Sequence, residues 1–382
     1  MIVRMKQELE ALKAHGNLRQ LPQVIHEGSY ILKKGIRMLN LSSNDYLGLA
    51  ADPLLRKDFL QSLTIDNFIP TSSSSRLLTG NFSIYEELET ELAQCFGTEA
   101  ALILNSGYHA NTGILPAITD GQTLILADKL VHASLIDGIR LSKARCIRYR
   151  HNDMKQLARL LEENHTIYQQ IILVTESIFS MDGDEADLPA LVHLKKTYPN
   201  VALYVDEAHA FGVRGATGLG CAEETGCIAD IDFLVGTFGK AAASVGAYVV
   251  CKKVVREYLV NRMRTLIFST ALPPVNIAWT LFILRKLKDM HTRRNQLAKI
   301  SNIVRRALQE KGYSCPSTSH IIPLIIGPSS ETIRVAEELQ QNGFYTLPVR
   351  PPTVPEGTSR IRFSLTSSLT EEQIKLLIKQ IH

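Results

Sequence analysis

Between residues 100 and 250, short apolar runs alternate with stretches in which hydrophobic residues recur at helical spacing. Ala101-Leu102-Ile103-Leu104-Asn105, Ile171-Ile172-Leu173-Val174-Thr175, Val201-Ala202-Leu203-Tyr204-Val205 and Asp232-Phe233-Leu234-Val235-Gly236 are apolar almost throughout. That is the pattern of strands buried on both faces. Met154 to Glu163 and Leu188 to Lys196 read as helices, so the region predicts a mainly parallel sheet covered by helices. Ser83-Ile84-Tyr85-Glu86 has the form of a capping box, and Leu88, Leu92 and Phe96 follow at helical spacing up to Gly97. A helix over 83–96 is expected. Pro273-Pro274 ends this domain, since consecutive prolines disfavour helix and strand alike. A long helical pattern from Asn276 to about Lys311 follows. Ile321 to Ile326, Ile333 to Asn342 and Arg360 to Leu365 then read as strand, helix and strand of a small α+β domain. The expected organisation is an N-terminal segment (1–45), a large α/β domain (46–275) and a smaller C-terminal domain (276–382), because 382 residues exceed one usual core.

The candidate chemistry sits where the strand-like runs stop. One run leads into Glu176-Ser177-Ile178-Phe179-Ser180, the next into Asp206-Glu207-Ala208-His209, the third into Thr237-Phe238-Gly239-Lys240. Open α/β sheets bind ligands beyond the carboxyl ends of their strands, so these groups should converge on one crevice, Glu176 among them. A lysine amine can form a Schiff base with an aldehyde cofactor, and an aspartate can hold a pyridine nitrogen protonated so that the ring becomes an electron sink. Lys240 and Asp206 are the candidates, and the cofactor they suggest is pyridoxal phosphate. Alone, Asp206 reads equally well as a helix cap and Lys240 as a surface lysine; the combination carries the argument. A phosphate needs backbone N–H groups and hydroxyls at a helix N-terminus, which the turn Ser106-Gly107-Tyr108 supplies after the strand ending at Asn105, with Thr237 adding a hydroxyl.

The stretches from Asp128 to Gly138 and from Glu176 to Asp184, then DEAHAFGVRGATGLG (206–220) and GTFGKA (236–241), resemble the α-oxoamine synthases. The resemblance covers nearly the whole chain. It implies an aspartate aminotransferase-like (fold type I) large domain, pyridoxal phosphate as cofactor, and condensation of an amino acid with an acyl thioester with loss of carbon dioxide. LSSNDYLGLA (41–50), STALPP (269–274) and RPPTVPEGTSRIRFSL (350–365) favour members that join L-alanine to a pimeloyl group carried by coenzyme A or a carrier protein. Alternatives within the family are glycine with a short acyl-CoA or serine with a long-chain donor, and outside it a binding protein that keeps the fold without turnover. By the same resemblance Lys240 holds the cofactor and moves protons, Asp206 pairs with the ring nitrogen, and His209 and Ser180 reach the ring hydroxyl. His132 stacks on the ring, while Gly107, Tyr108 and Thr237 serve the phosphate. Arg350 is the expected clamp for the amino-acid carboxylate, since a guanidinium matches a carboxylate bidentately, with Arg19 and Thr353 as further substrate contacts. A homodimer is implied, in which the segments Thr71 to Asn81 and Ser269 to Pro274 lie near the partner's cofactor. The chain departs from its relatives at Pro70 to Arg76 and at Ala241 to Gly246, where serines and alanines stand where glycines are common; the serine run has the composition of a flexible linker.

Composition narrows the partners. A formal net charge of +4, with both signs dispersed, does not argue for nucleic acid. The N-terminus lacks a signal-like apolar core, and the longest apolar stretch, Ile277 to Leu284, is too short to span a bilayer, so a cytoplasmic enzyme is expected. The six cysteines are scattered at spacings unlike zinc sites, so no metal is expected. Lys252, Lys253, Arg256, Arg262 and Arg264 form a basic cluster that reads either as a solvated helix face or as a surface for a thioester carrier.

Overall fold

The computed structural model describes residues 1–381. The chain divides into two units, one formed by Pro53–Phe179 and Glu185–Arg294, the other by Met1–Asp52, Ser180–Asp184 and Asn295–His382. The N-terminal segment clusters with the C-terminal residues, and the division falls inside the helix His291–Glu310. Pro273 and Pro274 do not interrupt the larger unit; they open the helix Pro274–Leu287 as its N-cap and first residue, where the missing N–H is no loss.

The larger unit is built on a seven-stranded sheet in the order Ala100–Leu104, Ala247–Cys251, Phe233–Thr237, Val201–Asp206, Gln170–Glu176, Thr123–Asp128, Arg145–Tyr149. Ala247–Cys251 is antiparallel to both its neighbours, and the remaining pairings are parallel. The sheet is α/β, mixed and mostly parallel. Its apolar runs are buried on both faces, with Leu102, Ile125, Ile172, Val174, Val235 and Val249 packed against Ala110, Ile114, Leu135 and Leu259 of the covering helices. Each such leucine, isoleucine or valine contributes ~1.5–3 kcal/mol by leaving water, which outweighs intrinsic strand propensities.

Local signals map unevenly onto these elements. The helix Ser83–Phe96 ends at Gly97 in the left-handed region (φ 62°), with the Gly97 N–H returning to the last-turn carbonyls. Its N-cap, however, is Phe82, and no side chain caps it, because Ser83 is already the first helical residue. The helix expected from Asn276 to Lys311 is two helices, Pro274–Leu287 and His291–Glu310. Arg294 stabilises the break: its Nη1 donates to the Leu287 carbonyl and its Nη2 to the carbonyls of Lys288 and Ala216. The serine run is no linker. Buried Ser72 donates to the Ala271 carbonyl at 2.6 Å, Ser75 bridges Thr270, and the Ala271 N–H donates to Ser74. Arg76 reaches Glu89, the Ile103 carbonyl and Asn81.

The smaller unit contains a four-stranded sheet, in which Ile25–Glu27, Tyr30–Lys33 and Ile36–Asn40 form an antiparallel meander and Phe344–Tyr345 adds a parallel edge. A three-stranded antiparallel sheet joins Ile321–Gly327, Ser359–Ser364 and Pro348–Val349. The helix Ser329–Gln341 packs on it. No helix among the described residues is long and apolar enough to cross a membrane.

Candidate active site

Sheet register places the ionisable strand ends side by side. Glu176 is opposite Asp206, and Asp206 is opposite Val235, two residues before Thr237. Strand order reverses between Thr123–Asp128 and Gln170–Glu176, the point at which open sheets of this kind bind ligands.

A directional hydrogen-bond chain surrounds Asp206. Its Oδ2 accepts from Asn111 Nδ2 at 2.8 Å and its Oδ1 from the Ala208 N–H at 2.9 Å. The Tyr204 hydroxyl donates to Asn111 Oδ1 at 2.6 Å, which orients the amide, and Nδ2 also donates to Ser134 Oγ at 2.9 Å. The Ser134 N–H donates to His132 Nδ1 at 3.2 Å, and Ser134 Oγ lies 2.8 Å from the same nitrogen. Nδ1 is therefore the acceptor. Burial holds His132 below the usual imidazole range, with Asp206 opposing, so the ring is neutral with its proton on Nε2.

Lys240 lies in the turn between Phe233–Thr237 and Ala247–Cys251, with its Nζ 3.0 Å from Nε2 of buried His209. Thr237 Oγ1 donates to the Gly246 carbonyl at 2.9 Å and accepts from the Gly239 N–H at 3.2 Å, which shapes that turn. Ser106 is the N-cap of the helix Gly107–Ile118, and its Oγ accepts from the His109 N–H at 3.1 Å. The helix starts at Gly107, so the N–H groups of Gly107 and Tyr108 belong to the first turn, which has no intrahelical acceptors. A Cβ on Gly107 would stand 3.8 Å from Thr237, so the cradle and the lysine turn face each other. Tyr108 is half-exposed and donates to Asp137 at 2.6 Å.

Two buried glutamates complete this end of the sheet. Glu176 accepts from the His132 N–H, while its Oε1 has no partner among the described residues; burial, reinforced by Asp206, drives its proton affinity well up. Glu207 accepts from Ser177 Oγ at 2.5 Å, Ala222 N–H at 2.6 Å and Cys221 N–H at 3.2 Å. Burial is the main cause of its carboxyl being pushed up to about 7.

The smaller unit carries the remaining candidates. Arg19 Nη2 donates to Thr353 Oγ1 at 2.8 Å, and Arg350 donates to the Gly16 carbonyl. Burial and the Arg19 charge both lower the proton affinity of Arg350. Three residues expected to contact substrate are thus neighbours, although 334 positions separate Arg19 from Thr353. Ser180 is buried, and its carbonyl accepts from Arg362 Nε at 2.6 Å. The basic cluster contributes to packing: Arg256 donates to the Ala101 carbonyl at 3.0 Å and to Glu89 at 2.7 Å, and Arg264 lies on the Phe268 ring.

Asn111, Ser134, Glu207 and Arg362 join these groups without standing out in the sequence. For Asn111 a signal exists, because it is a polar residue inside the buried stretch Ala110 to Leu115 of its helix.

The donor set fits pyridoxal phosphate. A carboxylate with its oxygens oriented by two donors suits a pyridinium, first-turn N–H groups and a hydroxyl suit a phosphate, and a lysine supplies the amine for the aldehyde. Comparison with known proteins agrees. The aminotransferase class I and II family profile matches residues 36–381. The chain is 56% identical over 374 residues to a Pasteurella multocida protein that bears the provisional name 8-amino-7-oxononanoate synthase, covering 98% of this chain and 97% of that one. A Glaesserella parasuis protein of the same provisional name is 57% identical over 373 residues, covering 97% and 98%. Among solved structures, serine palmitoyltransferase from Sphingomonas wittichii superposes with a TM-score of 0.89 at 30% identity over 99% of this chain and 95% of that one. The Francisella tularensis 8-amino-7-oxononanoate synthase gives 0.76 at 27% identity over 90% and 96%.

The chain belongs to the class I and II aminotransferase family, whose fold type I architecture its sheet reproduces. Within that family it is an α-oxoamine synthase, a pyridoxal phosphate-dependent acyltransferase.

Proposed function

We propose that the protein condenses L-alanine with a pimeloyl thioester, releasing the thiol and carbon dioxide, to give 8-amino-7-oxononanoate for biotin synthesis. The observation that carries this reading is identity of 56% along 98% of the chain to relatives provisionally named for that product. The strand-end cluster of Lys240, Asp206, His209 and His132 supports it chemically. Serine palmitoyltransferases superpose with a higher score, 0.89 against 0.76, which favours serine with a long-chain donor as the second reading. Backbone similarity reports the scaffold, whereas the acyl and amino-acid preferences reside in side chains.

Bound pyridoxal phosphate supplies an electron sink for the amino-acid α-carbon. The roles of the chain's own residues rest on their chemistry and the resemblance. Lys240 binds the cofactor aldehyde, takes the α-proton and returns a proton after carbon dioxide leaves. Asp206, kept as an acceptor by Asn111 and Ala208, holds a proton at the pyridine nitrogen. His132, neutral and fixed by Ser134, covers the ring face without adding positive charge. Ser106, Gly107, Tyr108 and Thr237 bind the phosphate; His209 and Ser180 bind the ring hydroxyl. Arg350 clamps the substrate carboxylate, assisted by Arg19 and Thr353.

The deciding experiment incubates the cofactor-loaded protein with alanine, glycine or serine, each with pimeloyl-, acetyl- or palmitoyl-CoA, and identifies products by mass. Alanine with pimeloyl-CoA should give 8-amino-7-oxononanoate as the dominant product. Dominant turnover of another pair would select an alternative, and no turnover with any pair would leave a binding protein.

The working form is proposed to be a homodimer with shared sites. The segments Thr71 to Asn81 and Ser269 to Pro274, which the resemblance assigns to the partner's cofactor site, are joined through Ser72, Ser74 and Ser75. Sedimentation at falling concentration, with activity measured in parallel, tests this; a fully active monomer overturns it.

A further inference from the structure

Glu176 has no part in the reaction steps above beyond its place at the cofactor end of the sheet. It is nevertheless among the most buried ionisable groups of the chain, 2% exposed, and stands in register beside Asp206, 6% exposed. Adjacent parallel strands lie ~4.8 Å apart, and residues in register point to the same face. Burial and the proximity of the two carboxyl groups both favour protonation of one of them.

Hydrogen-bond direction decides which one. Both Asp206 oxygens face donors, the Asn111 amide and the Ala208 N–H, and the Tyr204 hydroxyl supports this orientation of the amide by donating to its oxygen. A proton on Asp206 would remove the charge that strengthens both of these hydrogen bonds. Glu176 engages one donor, the His132 N–H, and its Oε1 meets none among the described residues. A hydroxyl there displaces no hydrogen bond.

We propose that Glu176 is the proton-holding member of a buried carboxyl pair with Asp206. It is a positioning residue: kept neutral, it leaves Asp206 as the single anion of the pair, and through the His132 N–H it fixes the loop that carries the ring-covering histidine. Its importance for catalysis rests on the role of Asp206 proposed above, but its protonation does not.

Burial is the largest influence on Glu176, and the neighbouring charges act on it in both senses. Asp206 and, more weakly, Asp128 favour the neutral form, and Lys240 opposes them. Asp128 is itself engaged by His151 at 2.9 Å and by the Asn152 N–H. His132 is neutral and presents only its N–H to Glu176.

The infrared test needs no cofactor, so its failure and the failure of the pyridoxal phosphate reading are distinct. Infrared spectra of the full chain are recorded well above pH 7, beyond the value of about 7 to which burial pushes the Glu207 carboxyl, so that Glu207 is ionised. Samples carry carboxyl-13C glutamate or carboxyl-13C aspartate. The expected result is a protonated-carboxyl band that shifts with labelled glutamate, stays put with labelled aspartate and disappears in Glu176→Gln. Absence of the band, or its shift with labelled aspartate, overturns the proposal. So does its persistence in Glu176→Gln, which would place the proton on another glutamate. Should that variant fail to fold, Glu176→Leu replaces it, and the labels in the unsubstituted chain still decide between glutamate and aspartate. A second readout is the pH midpoint of the bound cofactor's absorbance. Glu176→Asp, with a shorter side chain that cannot keep the contact with the His132 N–H, should shift that midpoint, whereas a purely packing role would leave it in place.

Discussion

The strand-end cluster of the larger unit and the arginine cluster of the smaller one are built by different means. Asp206, Glu176, His132 and Asn111 are held by sheet register and by hydrogen bonds whose donors and acceptors leave little choice of orientation. Arg19, Arg350 and Thr353 lie on irregular segments, Arg350 and Thr353 beside Pro351 and Pro352, and their contacts are a hydroxyl and a backbone carbonyl. Chemistry common to every substrate gains from rigid strand ends, where an error of about 1 Å is costly. Selection among substrates can reside in loops, which change without disturbing the sheet.

The sharpest way to break this contrast is Lys240→Ala. It should cut turnover by at least about 10³-fold with the fold retained, because it removes the strand-end amine that faces the cradle. Borohydride trapping and peptide mapping in the unsubstituted enzyme provide the check, and a label on another lysine would sink the assignment. Asp206→Asn comes next. It should bind cofactor yet slow α-proton exchange of alanine in deuterated water by about 10²–10³-fold, since the pyridine nitrogen loses its anion. Near-normal exchange would count against it.

Glu207 tests the rigid region through stability. Its folded carboxyl is raised from 4.5 to about 7, so the stability it contributes is fully present below pH 4.5 and is lost as pH rises through about 7. Taken over its full range that change amounts to about 3 kcal/mol, so Glu207→Gln should flatten the fall in denaturation midpoint across this window. An unchanged pH profile would show that another group is responsible.

In the loop cluster, Arg350→Met should raise KM for the amino acid by about 10–100-fold, the worth of a charge-assisted hydrogen-bond pair, with a smaller effect on kcat. Steady-state kinetics with the thioester saturating would show it, and an effect confined to kcat would move Arg350 out of substrate binding. The smallest effect concerns Ala243, a non-glycine residue at φ 48° in the Lys240 turn, whose carbonyl accepts from Trp279 at 2.9 Å. Ala243→Gly should stabilise the protein by about 0.5–1 kcal/mol, because relief of the left-handed strain exceeds the added chain entropy. A lower denaturation midpoint would contradict it.

Much was legible along the chain. Buried strands announce themselves as uninterrupted apolar runs, and the polar residue closing or succeeding each run, whether Glu176, Asp206 or Lys240, stands at a carboxyl end however the rest of the chain folds. Gly97 stops its helix for a local reason, its left-handed backbone. Local reading failed where a distant residue intervenes. The break after Leu287 depends on Arg294 capping freed carbonyls, and the serine run owes its order to Ala271 and Thr270, far along the chain.

By itself, then, the sequence determined the strand-and-helix alternation, the residue types at the strand ends and the family to which they point, since these depend on periodicity and on adjacency along the chain. Tertiary structure alone decided that Asn111 donates to Asp206, that Arg19 meets Thr353, and that Glu176 shares a buried register with Asp206. Charge state and hydrogen-bond direction depend on groups brought together from distant parts of the chain, and no local pattern encodes which neighbour will supply the donor.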